Sequence, residues 1–236
     1  MTLLLATTVG MVVGNMYYMQ PLLGLIAIDL GLTEGEVGSA ATLSLIGQSV
    51  GMLLILPLGD IFNRRPLILI SVLLSICALL QVGTAHGVVS LSLACLALGL
   101  ATTGTHMTLS LAASLASPEQ RGQVVGTVVG GLLTGLLLCR TISGFLGKLI
   151  DWQSIYFLAA GMLVCLFILL WRYLPSTTPQ IRMGYFRLLT SMWKIFRSEP
   201  VLRESCLFGS MSMAAFCAFW MTLAFHLERP PLNYGS

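Results

Sequence analysis

Asp60, Arg64 and Arg65 stand close together between two long apolar runs. Charged side chains are expensive in hydrocarbon, so an acidic and dibasic cluster in a short connection between spanning helices must lie at a membrane face, and its arginines mark that face as cytoplasmic. Arg140 is the one strongly charged residue well inside an apolar run. At about 1.5 Å per residue it lies roughly 24 Å along its helix from Val124. There it either turns inward, to bind an anionic group or pair with an amide, or snorkels to the outer headgroups. His106 titrates near neutral pH and suits a proton relay, or equally a neutral imidazole bonded to a neighbouring threonine. Asn15, Tyr17, Tyr18, Gln20 and Thr105 complete the candidates for substrate contact, since aromatic faces, an amide and hydroxyls suit lipophilic or hydroxylated small molecules. Helical spacing cannot turn Tyr17, Tyr18 and Gln20 to one face, so at least one of them packs or sits near the interface.

Other chemistries leave weaker marks. No Asp or Glu lies deep in an apolar run, so no carboxylate proton relay is visible. Ser143-Gly144, with Gly147 nearby and His106 on another helix, suggests an intramembrane hydrolase, but Thr141 stands where such a site wants glycine. No GxxxxGK phosphate loop points to an ATP-driven pump. Cys77, Cys95, Cys139, Cys165, Cys206 and Cys217 form no CxxC pair and read as reduced packing residues, and no metal or cofactor is expected.

The elements that must position these residues are membrane helices. Apolar residues make up 56% of the chain and charged ones 9%, with a mean hydropathy of +0.91. A soluble domain of this length could not hide so much apolar surface. Seven runs are long enough to span, near Leu3 to Ile28, Val37 to Leu58, Leu67 to Thr84, Val88 to Leu115, Val124 to Leu146, Ile155 to Leu174 and Ser205 to Phe225. Alternating their connections places Arg64, Arg65, Arg121, Arg172, Arg182, Arg187, Lys194, Arg197 and Arg203 on one side, against Lys148 and Arg229 on the other. That bias predicts a cytoplasmic N-terminus. The first run lacks a basic n-region and is too long for a signal peptide, so it reads as a retained helix that Pro21 kinks. A net charge of +3, dispersed between apolar runs, excludes a nucleic-acid footprint.

Pro175 to Glu204 is the one long polar connection. Ser176-Thr177-Thr178-Pro179 is breaker-rich, and beyond it Phe186, Leu189, Trp193 and Phe196 alternate with Arg187, Lys194 and Arg197 as in an interfacial amphipathic helix. Polar residues crowd the first, second, fourth and fifth runs, which are therefore expected to surround the interior, with the third and sixth facing lipid. Gly122, Gly126 and Gly130 repeat at every fourth position of the fifth run, Gly131 and Gly135 add a second pair, and Gly47 and Gly51 do the same on the second. Such faces invite close helix contact.

With its flanks, Leu58-Gly59-Asp60 to Arg64-Arg65 resembles the helix 2 to helix 3 signature of the major facilitator superfamily. Asn15-Met16-Tyr17-Tyr18-Met19-Gln20-Pro21-Leu22-Leu23 looks like the first helix of its bacterial drug and sugar efflux branch. Arg121-Gly122-Gln123-Val124-Val125-Gly126-Thr127 and Arg140-Thr141-Ile142-Ser143-Gly144 look like the fifth helix, and Ala214-Ala215-Phe216, Phe219-Trp220 and Pro230-Pro231 like the seventh. The resemblance implies an all-α membrane protein in which a six-helix half of two inverted three-helix repeats (1–174) is followed by a cytoplasmic linker (175–204) and a seventh transmembrane helix (205–236). Members of this branch normally have twelve spanning helices, so the chain is expected to be truncated. Helices 1 and 4 would flank the substrate cavity. Gly59, Asp60, Arg64 and Arg65 would form a conformational latch whose partner helix lies in the other half, leaving Asp60 without it, and the glycine faces of helices 2 and 5 would be left without that half.

The pattern also has departures. Leu56 replaces the loop signature's leading glycine, and Asn63 replaces the glycine before the basic pair, where it tolerates a left-handed backbone. No arginine stands around Cys95 to Gly99, Gln153 follows Asp151-Trp152 where arginine is common, and Gly130-Gly131 lacks the usual proline. Proton coupling is more affected by these than the fold.

The reading these features support is a secondary transporter of the bacterial inner membrane, a drug or sugar efflux antiporter coupled to protons and not an enzyme, inactive as this chain alone. The alternative is a self-associating or regulatory membrane protein that pairs through its glycine faces with another copy or a separate C-terminal half.

Overall fold

The computed structural model describes residues 1–147, 149–176 and 184–228, with the side chains of 220, 221 and 223–228 excepted. Lys148, most of the Ser176 to Pro179 breaker, Arg182, Arg229 and Pro230-Pro231 lie outside the described residues. Two compact units, Met1–Ile181 and Arg182–Ser236, divide the chain.

Among the described residues, the first unit contains six helices long and apolar enough to cross a membrane: α1 (Thr2–Leu30), α2 (Glu34–Ile61), α3 (Arg64–Gly83), α4 (Val88–Leu115), α5 (Arg121–Leu146) and α6 (Trp152–Tyr173). Local chemistry sets their ends. Gly31 closes α1 in the left-handed conformation, φ 62°, its N–H reaching the Ala27 and Ile28 carbonyls, as a residue without Cβ does most cheaply. Thr33 opens α2 with a capping box: its hydroxyl accepts from the Glu36 N–H at 3.3 Å, and its own N–H donates to the Glu36 carboxylate at 2.8 Å. Asn63 caps α3 by accepting from the Arg65 N–H at 3.1 Å. Its φ is −59°, so the left-handed backbone an asparagine tolerates is not used here, a capping residue taking non-helical, extended geometry.

Three of the six helices are interrupted. α1 is α-helical to Tyr17, passes through a 3-10 turn at Gln20–Leu22 and resumes at Leu23. Pro21, which has no N–H to give the ladder, accounts for this break. α2 breaks near its end, before the short turn Leu58–Ile61 that Pro57 precedes. α4 loosens in its middle, at Thr102 and Thr103, where the Thr103 N–H bonds to Leu100 O and the Thr105 N–H to Thr102 O, three residues back.

Packing follows a pseudo-symmetric plan. α1 lies along α5, α2 along α4 and α3 along α6. Exchanging the first three helices for the last three converts the α1–α5 contact into α4–α2 and leaves α3–α6 unchanged, as inverted three-helix repeats require. Small residues set the close approaches. A Cβ on Gly135 would strike the Gly10 backbone, one on Gly131 would come within 2.6 Å of Ala6 O, and those on Gly47 and Gly99 would strike Leu96 O and Ser44 O.

The expected ranking of helices by polar content fails at α3. It is nearly as buried as α4, whereas α2 and α5 are the most exposed of the six. Ser71 and Ser75 are buried, yet their hydroxyls donate to their own helix, to Ile68 O and Ser71 O at 2.9 Å. Their use is closeness to α4, where Ser71 abuts Gly104. Counting hydroxyls overstates the polarity a helix must hide, because a serine satisfied within its turn places no demand on neighbours. The cysteines divide similarly: Cys95 and Cys139 are buried, whereas Cys77, Cys165 and Cys206 are exposed, their helices' apolar surface being outward here.

In the second unit, α7 (Tyr185–Ser198) is the amphipathic helix expected from its alternating aromatic and basic residues, with Trp193 and Phe196 stacked at 5.8 Å. It is followed by α8 (Pro200–Glu228), which contains the whole of the seventh expected run.

Candidate functional site

The residues singled out for substrate contact gather on and around α1 and α4, two of the three interrupted helices. The Thr102 hydroxyl, which donates to Gly99 O at 2.7 Å, lies 3.2 Å from the Met16 sulfur, and one turn further Met19 lies 3.6 Å from the Cys95 sulfur. These soft contacts hold α1 against α4 across both interruptions. Asn15 is buried at 3% exposure, and among the described residues neither its Nδ2 nor the Nε2 of half-buried His106 has a hydrogen-bond partner. A polar atom so placed is costly in a bilayer unless a ligand or water meets it. Thr103 Oγ1 also lacks a partner, but it faces Gly51 of α2 and belongs to a helix contact. Thr105 is spent locally, donating to Thr102 O at 2.7 Å.

Tyr17 and Tyr18 diverge. The Tyr17 ring lies under the Arg140 guanidinium, 5.1 Å from its carbon, a cation–π contact between α1 and α5. Tyr18 instead turns to α6, meeting the Tyr156 ring edge-on at 6.5 Å. Tyr156 in turn meets Trp152 at 6.0 Å. Arg140 is thus directed at α1, and Gln20 sits half-buried beside the proline break.

At the other face, the α2–α3 corner is tied internally. Asp60 and Arg64 form an ion pair at 3.1 Å, and the buried Arg64 also donates from Nε to Gly59 O at 3.0 Å. Arg65 reaches across to α6, donating to Trp171 O at 2.7 Å. Gly59 abuts Met107 of α4. Asp60 therefore has an ion-pair partner within this half, a helical turn away.

The glycine faces separate into two kinds. Gly47 and Gly51 face Leu96, Leu100 and Thr103 of α4, and Gly131 and Gly135 face Ala6 and Gly10 of α1. These were expected to be left without a partner and are closed within the half. Among the described residues, nothing lies within 4 Å of a Cβ added at Gly122, Gly126 or Gly130.

The sequence matches the Major Facilitator Superfamily over residues 4–233. This chain belongs to that family. It is 37% identical to the uncharacterised transporter YgaY of Escherichia coli K12 over 99% of its own length and 59% of the relative's. A transporter of Streptomyces coelicolor is 31% identical over 94% of this chain and 51% of that protein. The purine ribonucleoside efflux pump NepI of Escherichia coli O127:H6 is 30% identical over 69% of this chain and 42% of the pump. The chain thus spans about half the length of the curated relatives it matches. Among solved structures, a peptide transporter aligns with 98% of this chain and 52% of its own, with a TM-score of 0.64 at 16% identity. A human organic anion transporter aligns over 76% and 48%, with a TM-score of 0.53 at 17% identity. At such identities these two speak for the fold alone. The all-helical, multi-pass facilitator architecture and the resemblance to the efflux branch are borne out.

The family pattern did not point to one cluster. Asp29, near the end of α1, accepts at Oδ2 from Trp152 Nε1 at 2.9 Å and from Gln153 Nε2 at 2.8 Å. Gln153, noted only as a departure, thus joins α6 to α1. The available signal was alternation, which places the end of the first helix and the start of the sixth at the same membrane face.

Proposed function

We propose that this chain forms the N-terminal half and seventh helix of a proton-coupled secondary transporter that exports small molecules of the drug or sugar class from a bacterial cell, set in the inner membrane with its N-terminus cytoplasmic. The observation that carries this is the pair α1 and α4: both broken, in direct contact, and both bearing buried polar atoms, at Asn15 and His106, that the protein does not satisfy. Discontinuous helices in corresponding positions of two repeats are where transporters of this construction bind substrate. Asn15, Tyr18, Gln20 and His106 would meet substrate. Arg140, held over Tyr17, would supply positive charge beside them, while Thr105 would shape the wall. Gly59, Asp60, Arg64 and Arg65 would act as the latch, and a second six-helix half, in the same or another polypeptide, would complete the pathway. Residues 1–174, 175–204 and 205–236 would be the half, its linker and the first helix of the other half.

The similarity to a purine ribonucleoside pump makes purine ribonucleosides, which join a hydroxylated sugar to a flat base, the first substrates to try. In a chain joined to a matching C-terminal half, Tyr18→Ala and His106→Ala should each change efflux of a recognised substrate without lowering membrane abundance. Transport unaltered over a panel of nucleosides, sugars and lipophilic cations would return both residues to packing.

The open stripe at Gly122, Gly126 and Gly130 favours a second reading, self-association of the chain. Such contacts are worth about 1 kcal/mol each, and Gly126→Leu should weaken crosslinking between copies. Robust saturable uptake by the purified chain alone would instead make the pair itself the transporter.

A further inference from the structure

Between the start of α3 and the end of α6 lies an open cavity of about 400 Å³ lined by Arg65, Ile168, Trp171 and Arg172. The transport reading gives Arg65 a part in the latch but assigns the cavity itself no ligand. We propose that this cavity binds the anionic phosphate headgroup of a membrane phospholipid.

Four features carry the assignment. Two guanidiniums border one cavity, and Arg65 is held in place by its 2.7 Å bond to Trp171 O. That bond spends one of the five guanidinium N–H donors and leaves the rest of a fixed fork for a phosphate oxygen. Trp171, 62% exposed and steadied edge-on by Phe167 at 5.7 Å, presents an indole at the helix end, where such rings sit at headgroup level. Ile168, one turn deeper and 61% exposed, provides an apolar track for the first carbons of an acyl chain. Basic pockets between helix ends are suited to anionic headgroups for these reasons. Neutralising the carbonyls at the end of α6 would occupy one arginine. It does not require two arginines around a cavity, nor an aromatic and an aliphatic wall beside them.

The full 236-residue chain in detergent, offered equal amounts of phosphatidylglycerol and phosphatidylcholine and read by native mass spectrometry, should retain phosphatidylglycerol preferentially. Arg172→Gln and Arg65→Gln should each weaken that retention by about fivefold. Arg172→Lys, which keeps charge but not the fork, should lose less. Arg121→Gln, an equal change of charge away from the cavity, should leave it unaltered, and circular dichroism would show each variant folded. Displacement of the lipid by excess inorganic phosphate would make the ligand a soluble phosphate and overturn the lipid assignment. Equal retention of the two lipids, or losses in Arg121→Gln matching those in Arg172→Gln, would overturn the site itself.

Discussion

Replacing Gly135 by alanine and, separately, Gly126 by alanine puts the same methyl group on the same helix nine residues apart, in opposite surroundings. At Gly135 the new Cβ would lie 2.5 Å from the Gly10 Cα, with the Gly10 carbonyl carbon equally near. Carbon atoms rest at about 3.5–4.0 Å, so α1 and α5 must part by about 1 Å, and the atoms around the contact lose a quarter to a half of their attraction. Backbone cannot swing aside as a side chain would. Overpacking of this kind costs about 1–3 kcal/mol. At Gly126 the methyl meets nothing within 4 Å. Both variants also gain helix propensity, up to about 1 kcal/mol relative to glycine, and this gain cancels when they are compared with each other.

Gly135→Ala should therefore be less stable than Gly126→Ala by about 1–3 kcal/mol, with Gly126→Ala at or slightly above the parent chain. Gly131→Ala, whose Cβ would lie 2.6 Å from Ala6 O, should behave like Gly135→Ala. Reversible unfolding of the whole chain in mixed micelles, followed by circular dichroism against the fraction of denaturing detergent, measures the difference. Equal midpoints, or Gly126→Ala as the weaker variant, would refute the argument that α1 and α5 are joined backbone to backbone through Gly10, Gly131 and Gly135.

Two further outcomes follow from the topology and the Asp29 cluster. Reporter insertions in the α3–α4 and α4–α5 connections, at His86 and Glu119, should read external and cytoplasmic respectively, as the excess of Lys and Arg on one side requires; the opposite result at both would invert the orientation. Trp152→Phe removes the indole donor to Asp29 and should lower stability by about 1 kcal/mol, while in an Asp29→Asn background the same change should cost less, a coupling that a double-mutant cycle reads directly.

Much of the fold was legible because span length and apolar content are local properties. The six helices, the break at Pro21 and the amphipathic α7 all follow from what each segment contains. What the sequence could not supply is direction. Gly130 and Gly131 are neighbours in one motif, but a step of about 100° around the helix leaves the first open and turns the second onto Ala6. Spacing identified faces able to accept a neighbour and was silent on which neighbour arrives. The loosening of α4 was hidden for a related reason: Thr102 and Thr103 carry no proline, and the change is a shift of hydrogen bonds from four residues back to three. Of the candidate site, Tyr17, Tyr18 and Gln20 were not expected to share one face, and the two tyrosines turn apart, one to Arg140 and the other to Tyr156. The Asp29 to Trp152 bond spans 123 positions, beyond any periodicity argument.

The glycine contacts and the helix breaks complement each other. Broken α1 is joined through Gly10, Gly131 and Gly135 to α5, which is helical without interruption from Arg121 to Leu146, and α4, broken at its middle, is joined through Gly47 and Gly99 to the unbroken Glu34–Leu54 stretch of α2. Backbone contacts of this closeness resist sliding, since any shift drives a carbonyl into a neighbouring helix. Broken α1 and α4 are each therefore splinted by an unbroken helical stretch, and the freedom left to them lies at the interruption. On the transport reading, α1–α5 and α2–α4 would rock together as one body. The turns at Tyr18–Leu22 and Thr102–Thr103, where the ladder is already loosened and Met16 and Met19 supply compliant contacts, would absorb the local adjustment around a bound molecule.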